Sequence, residues 1–145
     1  MFILDTDHIS ILESRCGDEF SNLMHRIAQH DRSVLFLTIV SFHEQVTGWN
    51  RYLSKALASE GIVRGYQQLE RLLTSFAKAK VLPYSAAAAD IFEDLRKQKV
   101  RVATMDARIA SIAIANRMTL LTRNTVDFER IPNLSFDDWT LPPKA

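Results

Sequence analysis

The sequence holds a single cysteine, Cys16, which rules out an internal disulfide and suits a reducing compartment. No apolar run approaches the roughly 20 residues that a membrane helix needs. The apolar start ends at Asp5 with no basic stretch before it, too short for a secretion signal. Glycine and proline number four each in 145 residues, and neither repeats nor low-complexity tracts mark a linker. Charge of one sign is lacking too: 18 basic side chains stand against 17 acidic ones. A nucleic-acid partner would therefore have to be met by a local patch rather than by overall attraction. These absences predict a cytoplasmic protein without membrane contact, built as one domain over 1–145. An apolar share of 47% suffices for one buried core.

Periodicity supplies the elements. Met1–Asp5 reads as a buried strand closed by an acid, and Val34–Thr38 as a second strand. Phe20, Leu23, Met24 and Ile27 recur at helical spacing and predict a helix over Asp18–His30. Ser41-Phe42-His43-Glu44 reads as a capping box opening a helix striped by Phe42, Val46, Trp49, Leu53 and Leu57. Glu44 lies off that stripe, beside Gly48 and Arg51. A second helix carries Tyr66, Leu69, Leu72, Leu73 and Phe76, with Gly61 and Gly65 near the break. Phe42, Trp49, Tyr66 and Phe76 suit either a partner surface or packing inside this hairpin. Lys80–Leu82, Thr119–Thr122 and Leu134–Phe136 are the remaining strands, the last an edge strand before a proline-containing tail. Ser85–Lys97 and the stretch after Asp106 are helices, and Asn124–Phe128 is a turn or short helix.

Strands alternating with helices predict an α/β fold with a mainly parallel sheet flanked by helices on both faces. Such sheets bind ligands beyond the carboxyl ends of their strands. Acids fall at those places: Asp5 and Asp7, Glu44, Asp106, and Asn124 with Asp127. Two carboxylates about 5 Å apart repel by roughly 3 kcal/mol at an effective dielectric near 20. A convergent set would call for a hard divalent cation, which prefers oxygen ligands, and would suit phosphoester hydrolysis. Single residues also have plainer roles. Asp7 and Asp106 suit helix caps, Glu44 the partner in its capping box, and Asn124 a turn. Asp5 is harder to explain so, because a carboxylate closing a buried strand is costly unless paired.

The order of the motifs carries a family likeness. Phe2-Ile3-Leu4-Asp5-Thr6-Asp7 resembles the opening of PIN-domain ribonucleases, and Thr38–Glu44 resembles their second motif. Asp106-Ala107-Arg108-Ile109-Ala110-Ser111-Ile112-Ala113 is similar to D-x-x-I-A-x-x-A. Leu120–Phe128 is similar to T-R-N-x-x-D-F, and the following Arg130–Leu134 and Trp139 are typical of VapC-type toxins. The resemblance implies a PIN fold, with Asp5, Glu44 and Asp106 as metal-binding carboxylates and Asp127 as a fourth acid. Thr6, Asp7, Thr122 and Asn124 would be supporting polar groups. It implies Mg2+- or Mn2+-dependent RNA cleavage leaving a 5′-phosphate and a 3′-hydroxyl, a homodimer, and silencing by a cognate antitoxin. Arg108 and Arg123 are candidates for RNA phosphates, and Arg96, Lys97, Lys99 and Arg101 form a basic run that suits RNA or plain solvent. Where many members carry glycine before the third motif, this chain has Lys97-Gln98-Lys99-Val100. Other readings are a phosphomonoester hydrolase of haloacid-dehalogenase type, from the D-x-D at Asp5 and Asp7, and an inert PIN-like interaction module.

Overall fold

The computed structural model describes residues 1–144. Five strands form one sheet: β1 (Phe2–Leu4), β2 (Leu35–Thr38), β3 (Val81–Leu82), β4 (Thr119–Leu121) and β5 (Phe136–Asp137). Their order is β3-β2-β1-β4-β5, and every neighbouring pair is parallel. The sheet is thus wholly parallel, beyond the mainly parallel one expected. Parallel neighbours need crossovers. They are supplied by α1 (Thr6–Ser14) and α2 (Asp18–Ile27), α3 (Ile39–Lys55) and α4 (Ser59–Ala77), α5 (Ala86–Lys97) and α6 (Thr104–Asn116), and the single turn α7 (Thr125–Phe128).

Alternation along the central strands divides the core in two. Ile3 and Leu120 point to one face, where α5, α6 and α7 bring Leu95, Ile109, Ile112, Ala113 and Phe128. Leu4 and Leu121 point to the other, where α1, α2 and α4 bring Ile9, Leu23, Leu72 and Phe76. A period of two in the strands and of 3.6 in the helices makes this three-layer arrangement obligatory. No helix among the described residues is long and apolar enough to cross a membrane.

Several boundaries differ from expectation, and the differences have causes. Helix α3 opens at Ile39, not Ser41. Thr38 is its N-cap, its Oγ1 accepting the Ser41 N–H at 3.1 Å. Ser41 and Glu44 therefore form no capping box. Asp106 is not an N-cap: α6 begins at Thr104 behind Ala103. Asp7 is not one either, because Asp5 caps α1 and accepts the Thr6 N–H at 2.8 Å. Gly65 lies inside α4 rather than near the break. A Cβ there would come within 2.4 Å of Leu53 Cδ2, so its hydrogen lets α3 and α4 touch. Phe42 and Phe76 meet edge to face at 5.2 Å inside that hairpin, and Trp49 packs on Tyr52. Of the four aromatics weighed as partner surface, Tyr66 is the exposed one. Ahead of the exposed residues 141–144, Trp139 and Thr140 are buried at 2% and 4% exposure.

Candidate metal centre

The strand order places a crevice at one point. From β1 the chain runs outward to β2 and β3, then returns to lay β4 and β5 on the other side. Helix α1 leaves β1 for one face of the sheet, while Phe128 of α7, after β4, packs on the other. The carboxyl ends of β1 and β4 flank that divide, the topological switch point where open α/β sheets bind ligands. Asp5 follows β1 and Thr122 follows β4. They meet directly, Thr122 Oγ1 donating to Asp5 Oδ2 at 2.8 Å.

Around this pair the other polar groups assemble. Thr6, first in α1, donates from Oγ1 to Glu44 Oε2 at 3.3 Å, bringing α3 to the crevice. Asn124 N–H donates to Thr122 Oγ1 at 3.1 Å, and Asn124 Nδ2 donates to Asp127 Oδ2 at 3.0 Å. Asp7 accepts the Arg123 N–H on Oδ2 at 2.9 Å. Asp106 makes no such bond but feels its neighbours electrostatically.

The protonation energetics show that these acids share a space. Burial, then the Asp7 and Asp106 charges, push the Asp5 carboxyl up to about 7 against the hydrogen bonds from Thr122 and Thr6. Glu44 is raised by partial burial first, then by Asp106 and Asp7. Asp106 is raised by partial burial, then by Asp127 and Asp7. Asp5, Asp7, Glu44, Asp106 and Asp127 are thus linked by mutual repulsion. Asp7 alone goes the other way. Burial lifts it, but hydrogen bonds from His8 and Arg123 outweigh that and leave it below the usual carboxylate range. Among the described residues no three acidic, imidazole or thiol groups close into a ready ligand cage. The influence of each acid on its neighbours is repulsive, which costs energy while all are ionised. The donor set is all oxygen, and its repulsion is the kind that a hard divalent cation relieves.

The candidate arginines lie at the rim and have partners. Arg123 Nη2 pairs with Glu19 at 3.2 Å, both about half exposed, a contact worth little in water. Arg108 lays its guanidinium 5.5 Å from the Phe92 ring centre. Arg96, Lys97, Lys99 and Arg101 are exposed, with Arg96 paired to Glu93. Sequence reasoning passed over His8. It is fully buried, and it lies on the helical face of Ile11 and Leu12, a spacing that could have flagged it.

Comparison with known proteins agrees with this geometry. The PIN domain model matches residues 3–134. Ribonuclease VapC2 of Rickettsia felis is 31% identical over 143 residues, 96% of this chain and 98% of that one. The crystal structure of DNA-bound VapBC from Salmonella typhimurium superposes with TM-score 0.70 at 24% identity, over 95% of this chain and 97% of the other. A toxin-antitoxin complex from Klebsiella pneumoniae gives TM-score 0.66 at 20% identity, over 99% and 100%. A family match over nearly the whole length, together with a relative 31% identical along almost all of both chains, has one reading: the chain belongs to the PIN-domain family, among its VapC-type members.

Proposed function

We propose that the protein is a divalent-metal-dependent ribonuclease and the toxin of a toxin–antitoxin pair. The observation that carries this reading is the meeting at the switch point of Asp5 with Thr122, of Glu44 with Thr6 and of Asp127 with Asn124, with Asp106 close enough for its charge to raise Asp5 and Glu44. Asp5, Glu44 and Asp106 would hold Mg2+ or Mn2+, with Asp127 joining when a phosphate is present. When bound, such a cation supplies the charge that activates water and steadies the leaving oxygen in phosphodiester hydrolysis.

The rest is done by the chain. Thr122 fixes one oxygen of Asp5, and the cap bond from Thr6 fixes the other, so the carboxylate is aimed before substrate arrives. Thr6 steadies Glu44 and Asn124 steadies Asp127. Helices α1, α3 and α6 bring their N-terminal ends toward the acids, adding partial positive charge suited to a phosphate. Arg123 can leave the exposed Glu19 pair to meet the RNA backbone, and Arg108 flanks Asp106 on the same helix.

The antitoxin belongs to the same reading, as does pairing of two copies. An open groove of about 1420 Å3 runs between α1 and the α3–α4 hairpin, lined by Leu12, Leu35, Trp49 and Leu72 among others. None of the four acids lines it, so it would anchor an antitoxin whose silencing segment lies over the acidic crevice. The two other readings fare worse. In a dehalogenase-type phosphatase Asp7 would be the acid, yet hydrogen bonds from His8 and Arg123 hold it below the usual carboxylate range, with no proton to give. An inert module gives no reason to bury Asp5 among like charges.

The test is cleavage of total RNA with Mn2+. Wild type should degrade it, and Asp5→Asn should lower the rate about a hundredfold or more. Equal rates would end this reading. Light scattering checks the pairing: a dimer is expected, and a monodisperse monomer at high concentration contradicts it.

A further inference from the structure

Asp7 sits among the acids, and each of its oxygens holds a hydrogen bond, as do those of Asp5. Oδ1 lies 2.7 Å from His8 Nδ1. Oδ2 accepts the Arg123 N–H at 2.9 Å, with Thr122 Oγ1 at 3.4 Å. The other nitrogen of His8, Nε2, accepts the buried Trp139 N–H at 3.3 Å. A nitrogen that accepts carries no proton, so the proton of the neutral ring is on Nδ1 and points at Asp7. A charged ring would set its Nε2–H against the Trp139 N–H. The alternative acceptor, Asp138 Oδ1, is 3.8 Å away, beyond hydrogen-bond reach.

The side chain at position 7 thus faces two fixed donors, His8 Nδ1–H and Arg123 N–H. A carboxylate accepts both. An amide would turn its NH2 group against one of them and leave a buried donor without a partner. The chemistry of His8 therefore explains why an acid stands there, with no need for a cation.

We propose that Asp7 and His8 are a positioning clasp and that Asp7 is not a metal ligand. The chain of bonds runs from the Trp139 N–H to His8, from His8 to Asp7, and from the Arg123 N–H to Asp7. It fastens the Thr122–Asn124 turn to α1 and the end of the chain. That turn carries Thr122 to Asp5 and Asn124 to Asp127, so the clasp sets both acids. The metal-related part of this proposal rests on the reading of the acids given above; the hydrogen-bond part does not.

Two measurements on the full chain test it. Ring 15N spectra of His8 should show the Nδ1-protonated neutral tautomer, unchanged when Mg2+ is added to saturation. An Nε2-protonated ring, or loss of the Nδ1–H signal on adding Mg2+, would overturn the clasp. Calorimetric Mg2+ titration then compares Asp7→Asn in two backgrounds. With His8 present, Asp7→Asn should weaken binding roughly 10-fold or more through the displaced turn. In a His8→Leu background the same change should weaken it by less than about threefold, because the donor that an amide offends is gone. Equal losses in the two backgrounds would make Asp7 a ligand and overturn the proposal. Wild type that binds no Mg2+ would refute the metal centre instead, and the tautomer would still decide the clasp.

Discussion

Asp5 combines three jobs at one residue: it closes β1, caps α1 and accepts from Thr122. Those bonds favour its ionised form, yet burial and neighbouring charge win and lift it to about 7. The sign of the linkage follows. A carboxyl raised in the folded state favours folding while protonated. Its contribution is whole below the ordinary value of 3.8 and is lost as pH climbs to about 7. A shift of that size corresponds to something on the order of 4 kcal/mol. With a chelator present, Asp5→Asn should therefore melt above wild type at pH 8, and the gap should close toward pH 4. A gap that stays constant across that range would show that Asp5 is not strained. Asp5 and Asp127 were legible in the sequence by their place after strands, and Asp106, whose helix follows another helix, by its motif. Their plainer roles were not separable there, because capping and ligating use the same residues at the same offsets. The cap at Thr38 and the start of α6 at Thr104 remove those plainer roles from Glu44 and Asp106. His8 was illegible as a partner of Asp7, since its other partner, Trp139, lies 131 positions away.

Elements end where the backbone demands particular torsions, and two positions here can be tested. Helix α5 closes in a Schellman motif, with Val100 N–H bonded to Leu95 O and Lys99 N–H to Arg96 O. Lys99 takes φ +57° there, the left-handed conformation that glycine adopts without a Cβ penalty. Lys99→Gly should raise stability by about 0.5–1 kcal/mol, read from urea midpoints. An unchanged or lower midpoint contradicts the strain argument. Gly65→Ala should act in the opposite direction, costing about 1–3 kcal/mol as the new methyl meets Leu53. The long helices α3, α4 and α5 were legible because their apolar stripes persist for three turns or more. Helix α1 was legible only through the cap read at Asp7, because a buried histidine interrupts its apolar period. The strands run to only two to four residues, so their limits are set by ladder partners that no local pattern reveals.

At the scale of the whole molecule, the end of the chain returns to the beginning. Trp139 lies against Phe2 at 4.6 Å and stacks on His30 at 5.1 Å, with Arg26 over its face. Asn22 of α2 donates to Thr140 O, and β5 completes the sheet beside β4. Trp139→Ala should cost about 3–5 kcal/mol and be seen as a large fall in melting temperature. A change of a degree or two would mean that this segment is dispensable. The sheet order, with α3 and α6 packed on it, bears on the proposed function in the same way, since residues 5, 44, 106 and 127 would have to share one crevice. That juxtaposition is the account's central claim, and calorimetric titration of Mn2+ into wild type and Asp106→Asn tests it most directly. The account predicts saturable binding to wild type, weakened at least about 10-fold by Asp106→Asn. Equal binding by both proteins, or none by wild type, would contradict it.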